Sequence, residues 1–101
     1  MRMLLRVTMP HAKFNAMVRD GSAGVKIQKI LAEQKPEAAY FVEFGGKRTA
    51  MLVVNMKDSS EIPAYAEPWF LAFEADVEMH PAMNGEDLSK GDLAGLGKKW
   101  G

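Results

Sequence analysis

An α+β fold is predicted for this chain: a four-stranded antiparallel sheet, two main helices on one of its faces, and a short helix at the C-terminus. Three observations predict it. Apolar residues alternate with polar ones in short segments, the period-2 signature of strands. Longer segments between them carry apolar residues at helical spacing. The 101 residues suffice for one domain, 1–101, and leave no room for a second.

The first strand alternates Met3, Leu5, Val7 and Met9 with Leu4, Arg6 and Thr8. Pro10 ends it, because proline lacks the ladder donor and suits the first turn of a helix. Residues 11–34 read as helix, with Phe14, Met17, Val18, Ile27, Ile30 and Leu31 as buried positions. A straight helix of that span would be about 36 Å long. The run Arg19-Asp20-Gly21-Ser22-Ala23-Gly24 is its natural break, with Ser22 capping the second piece. Lys35-Pro36 ends it. Ala38–Phe44 and Arg48–Met56 then flank Gly45-Gly46, the pair that a two-residue hairpin turn demands. Asp58-Ser59-Ser60-Glu61 opens a second helix with several caps. Ile62, Tyr65, Ala66, Trp69, Phe70 and Phe73 form its apolar stripe, and Pro68 should kink it. Residues 75–83 alternate again. Asn84, Glu86 and Asp87 start a tail helix over about 85–100, weakened by Gly91, Gly95 and Gly97.

The order strand, helix, strand, strand, helix, strand is the split arrangement called ferredoxin-like, βαββαβ. Its helix-covered face would collect Met3, Leu5, Val7, Tyr40, Val42, Phe44, Ala50, Leu52, Val54, Val77 and Met79. The opposite face would carry Leu4, Phe41, Met51 and Val53 among Arg6, Thr8, Glu43, Thr49, Asn55, Asp76, Glu78 and His80. Only the weak tail is left to cover that second face within one copy. An exposed apolar patch marks an association surface, and a two-fold homodimer packing sheet on sheet is the expected outcome.

Composition narrows the function. Hydrophobic residues make up 48% of the chain and charged residues 26%, the balance of a globular protein. Thirteen basic and thirteen acidic residues cancel, so no field favours nucleic acid or an anionic membrane. The chain has no cysteine, which excludes disulfides and thiolate chemistry. Charge interrupts the N-terminal segment too early for a signal peptide, and no apolar run approaches the ~20 residues of a membrane span. A cytoplasmic setting is expected.

Three stretches add a resemblance: Met3-Leu4-Leu5-Arg6-Val7, Lys35-Pro36-Glu37-Ala38-Ala39-Tyr40-Phe41, and Ala66-Glu67-Pro68-Trp69-Phe70 leading to Ala75-Asp76-Val77-Glu78-Met79. With the order of elements, they make residues 1–90 resemble the dimeric α/β-barrel superfamily, and within it a group of short bacterial proteins without an established activity. The resemblance implies a homodimer. It also implies either a small-molecule-binding or cofactor-independent enzyme domain, or a non-catalytic assembly module, and fold alone does not choose between them.

Several residues are candidates for a site. Asp76, Glu78 and His80 share one strand face, where a carboxylate beside an imidazole suits acid–base work, and Arg6 on the adjacent strand can pair across to Asp76 or Glu78. The structural alternative is an ion-pair network at a dimer interface. His11, Asn15 and Arg19 share one helix face and would line a cleft between helices and sheet, or simply face solvent. Tyr65 and Trp69 would stand at the mouth of that cleft, or pack in the core. Glu43 would face the barrel interior with Arg6 and His80. Gly21–Lys26 lacks the pattern of a phosphate loop. The two histidines sit on different elements with no ligand spacing, so neither metal nor cofactor is expected.

Overall fold

The alternation of Met3, Leu5 and Val7 with Leu4, Arg6 and Thr8 becomes strand β1 (Arg2–Thr8), whose odd-numbered members are buried. The structure, a computed structural model describing residues 1–101, continues with helices α1 (His11–Asp20) and α2 (Ala23–Gln34), strands β2 (Ala38–Phe44) and β3 (Lys47–Asn55), helix α3 (Ile62–Phe73), strand β4 (Asp76–Pro81), and helices α4 (Gly85–Ser89) and α5 (Leu93–Trp100). The strands form one antiparallel sheet in the order β2-β3-β1-β4. This is the ferredoxin-like arrangement expected from the order of elements.

The break in the first helical stretch falls where the glycines predict it. Gly21 adopts a left-handed backbone (φ 82°), and its N–H closes α1 by donating to the Met17 and Val18 carbonyls. Ser22 does not cap α2 with its side chain. Instead the Asp20 carboxylate accepts from the Ser22 N–H at 2.8 Å, and hydrogen bonding from Ser22, hydroxyl first and then backbone, holds the Asp20 pKa below the ordinary carboxylate value.

The core lies between sheet and helices. Leu5, Val7, Ala50, Leu52 and Val54 present one sheet face to Phe14, Met17 and Ile30 of the first two helices and to Trp69 and Phe73 of α3. Phe73 stacks between Phe14 (5.5 Å) and Trp69 (5.8 Å).

Pro68 stays inside α3 without ending it. Its missing N–H frees the Ala64 carbonyl one turn earlier. The buried Gln34 amide supplies the donor, reaching the Ala64 and Tyr65 carbonyls at 3.3 and 3.0 Å, while its oxygen accepts from the Trp69 indole N–H at 3.3 Å. One side chain from α2 thereby satisfies both the proline's orphaned carbonyl and a buried tryptophan.

Strand β2 corrects the expected faces. Gly45 and Gly46, both at positive φ, form the two-residue turn, so Phe44 pairs with Lys47, Glu43 with Arg48, and Phe41 with Ala50. Directly opposed residues share a face. Phe41 and Glu43 therefore lie on the helix side, and Tyr40, Val42 and Phe44 lie on the open side, the reverse of the expectation. A slip of one residue exchanges the faces of a whole strand.

The tail also departs from expectation. It forms two short helices separated at Gly91-Asp92, with Asp92 in a left-handed conformation (φ 54°). Asn84 and Asp87 build a reciprocal capping box at the start of α4. No residue of α4 or α5 is buried, and the hydrogen bonds of α5 stay within residues 92–101. The chain extends 59 × 28 × 19 Å, and its radius of gyration is 16.8 Å against about 13 Å for a compact domain of this length. The tail projects.

Candidate functional site

Two clusters gather the polar candidates, one on each side of the sheet. On the open side, Arg6 and Glu78 are direct partners in the β1–β4 ladder. Arg6 Nε donates to Glu78 Oε2 at 2.6 Å, and Arg6 Nη2 also pairs with that carboxylate. His80 Nε2 lies 3.6 Å from the other Glu78 oxygen. The Arg6 guanidinium in turn sits 4.4 Å from the centre of the Phe44 ring, on the opposite edge strand. Thr49, on the strand between them, is only 2% exposed, and its hydroxyl donates to the Lys47 carbonyl. Asp76 opposes Thr8 and makes no ion pair. Chemically this is a carboxylate paired with a permanent cation through Oε2, with the exposed His80 imidazole beside its other oxygen.

At the hairpin end, a hollow of about 500 Å³ is lined by His11, Phe41, Glu43 and Arg48 on the helix side and reaches round the sheet edge to Val42, Gly46, Lys47 and Thr49. His11 is the first residue of α1, and the two-residue turn sets Glu43 opposite Arg48. Arg48 is held from behind: Nη1 donates to Asn15 Oδ1 at 2.7 Å, and its guanidinium covers the Phe14 ring at 4.7 Å. No carboxylate lies within ion-pair distance of Arg48. Glu43 is turned to the hairpin, where Oε2 accepts from the Gly46 N–H at 3.0 Å. The hollow thus offers a fixed, unpaired guanidinium with further N–H donors, a lysine and an imidazole beside it, and the flat face of half-exposed Phe41.

The predicted residues divide accordingly. His11 and Glu43 meet in the hollow with Asn15 behind them, whereas Arg6, Glu78 and His80 meet on the open face. Glu43 does not face the same side as Arg6 and His80. Tyr65 and Trp69 join neither group. Tyr65 donates its hydroxyl to the Asn55 carbonyl at 3.3 Å, at the far end of the sheet from His11, and Trp69 is fully buried with its N–H on Gln34. The residues that sequence reasoning missed are Phe41, Lys47 and Arg48. Their signal was present, since a two-residue turn at Gly45-Gly46 dictates that Glu43 faces Arg48.

No group of three or more potential ligand side chains comes close enough to hold a metal ion, and no helix is long and apolar enough to cross a membrane. No family model matches the chain, and no curated protein matches it. What stands is a small α+β fold with a four-stranded antiparallel sheet.

Proposed function

We propose that this protein is a homodimeric small-molecule-binding domain of the dimeric α/β-barrel type, which takes a flat organic carboxylate in the hollow at the hairpin end. The single observation that carries the reading is Arg48. A guanidinium fixed by Asn15 and Phe14 without a carboxylate partner is prepared to receive one from a ligand, and its planar fork matches that group in two parallel hydrogen bonds. Phe41 supplies a surface for the ring. Lys47 adds positive charge at the rim and His11 an imidazole, and the Glu43 carboxylate is occupied by the turn. The dimer would pack open face on open face, covering Leu4, Tyr40, Val42, Phe44, Met51 and Val53.

Titration calorimetry with benzoate as probe tests the ligand. The expected result is saturable binding with a Kd at or below about 1 mM, about −4 kcal/mol, weakened at least tenfold in Arg48→Gln. Absence of saturable binding, or equal binding by Arg48→Gln, contradicts the reading. A second reading, an assembly module without a ligand, is favoured by the Arg6–Glu78 ion pair, which ties β1 to β4 on the open sheet face.

A further inference from the structure

We infer that two unlike pairs lock the copies of the sheet-on-sheet dimer together: the Tyr40 hydroxyl of one copy donates to the Glu78 carboxylate of the other, and Lys47 of one copy meets Asp76 of the other at the open rim of the hairpin-end hollow. The inference rests on the dimer proposed above. It fixes the direction of the two-fold axis and makes the second copy part of that rim.

The register lays the open face out in rows. Across the middle run Glu78, Arg6, Met51 and Tyr40, on β4, β1, β3 and β2 in turn. Toward the hairpin lies the row Asp76, Thr8, Thr49 and Val42, and toward the opposite end His80, Leu4, Val53 and Ala38. Two copies whose sheets pack aligned and overlap in full have two choices of axis. An axis across the strands sets each strand on its own counterpart, so the middle row meets itself. Glu78 then lies on Glu78 and Arg6 on Arg6, and like charges opposed in an interface repel. An axis along the strands keeps every row at its own level and reverses its order. Glu78 then faces Tyr40, Arg6 faces Met51, Leu4 faces Val53 and Thr8 faces Thr49. No charge meets its like.

The groups brought together each need a partner. Glu78 holds Arg6 through Oε2, while Oε1 has the exposed His80 imidazole 3.6 Å away and accepts no hydrogen bond. Tyr40 is 67% exposed, and its hydroxyl has no partner in its own copy. A tyrosine and a glutamate side chain together span the ~10 Å between packed sheets.

At the hairpin end, Asp76 of one copy falls on Val42 of the other, and Lys47 is the diagonal neighbour of Val42 on the same face. Asp76 and Lys47 are exposed, and neither has an ion pair within its own copy. Val42 and Lys47 line the hollow where it reaches round the sheet edge, so Asp76 of the second copy closes that side.

Sedimentation of the full chain reads the dimer dissociation constant. Tyr40→Phe, which removes one oxygen, should raise it at least tenfold. Glu78→Met, which keeps the length and loses the acceptor, should raise it too, and adding Tyr40→Phe to that background should change it less than threefold further. Asp76→Lys and Lys47→Glu should each loosen the dimer at least threefold, and the chain carrying both should return to within twofold of the parent. A Tyr40→Phe effect that is absent or equal in both backgrounds, a dimer tightened by Glu78→Met, or a charge swap that fails to restore association would overturn the locked arrangement. If in those cases the parent chain still sediments at twice its mass, the sheet-on-sheet dimer survives. A parent chain sedimenting as a monomer overturns both.

Discussion

The two faces of this sheet are made from similar residues and end in opposite states. On the helix side Leu5, Val7, Ala50, Leu52 and Val54 are almost fully buried under Phe14, Met17, Ile30, Trp69 and Phe73. On the open side Leu4, Met51 and Val53 are half-covered, and Tyr40, Val42 and Phe44 are exposed. One face is completed by the chain's own helices, and the other is left without cover by its own tail. The lesson is that hydrophobic patterning states which residues need burial, whereas topology decides whether the same copy can supply it.

The comparison breaks first on the filled side. Leu52→Ala should cost about 2–5 kcal/mol of folding stability by cavity formation, read from urea unfolding. Gln34→Ala should cost about 1–3 kcal/mol, because it strips the Ala64 carbonyl and the Trp69 N–H of their partners. The same substitution made together with Pro68→Ala should cost less, since an alanine amide can close the helix onto the Ala64 carbonyl. Equal losses in both backgrounds would separate Gln34 from the proline's defect. On the open side, Tyr40→Asp should leave the folding of one copy within about 0.5 kcal/mol of the parent. It should nevertheless shift the association equilibrium toward monomer at least tenfold, measured by sedimentation.

The smallest effect concerns acid. Arg2 donates from Nε and Nη2 to the two Glu37 oxygens at 2.9 Å, tying the first strand to the chain just before β2, and this hydrogen bonding holds the Glu37 pKa below the usual carboxylate range. A depressed folded-state pKa means that the unfolded chain binds the proton first. The stabilisation is therefore present above the ordinary value near 4.5 and is lost as pH falls through the lower folded value. Asp20 behaves alike. Because Glu37 is exposed, Glu37→Gln should change the acid limb of a thermal-melt series only slightly, and leave melting at neutral pH nearly unchanged.

Much of this was legible in the residues. The four alternating segments, the break at Gly21, the cap at Asn84 and the order of elements all follow from local chemistry, and they fix the ferredoxin-like topology. That topology brings Arg6 to the strand of Asp76 and Glu78, and the register of β1 on β4 selects Glu78. The faces of β2 were misread because burial was assigned from side-chain type, when the two-glycine turn had already set the register. Trp69 and Tyr65 were offered as pocket residues because a polar tip on an aromatic asks for a partner, and sequence does not say that Gln34 and the Asn55 carbonyl provide it. Arg48 carries no motif. Its significance depends on Asn15 and Phe14, more than thirty residues earlier, arriving behind it.

The most direct measurement of the account is the sedimentation of the purified full chain at micromolar concentration. A particle of twice the 11.2 kDa chain mass, reverting toward a single copy in Tyr40→Asp, is the predicted result. A parent chain that stays at 11.2 kDa with a stable, cooperative melt would show that the open face needs no second copy.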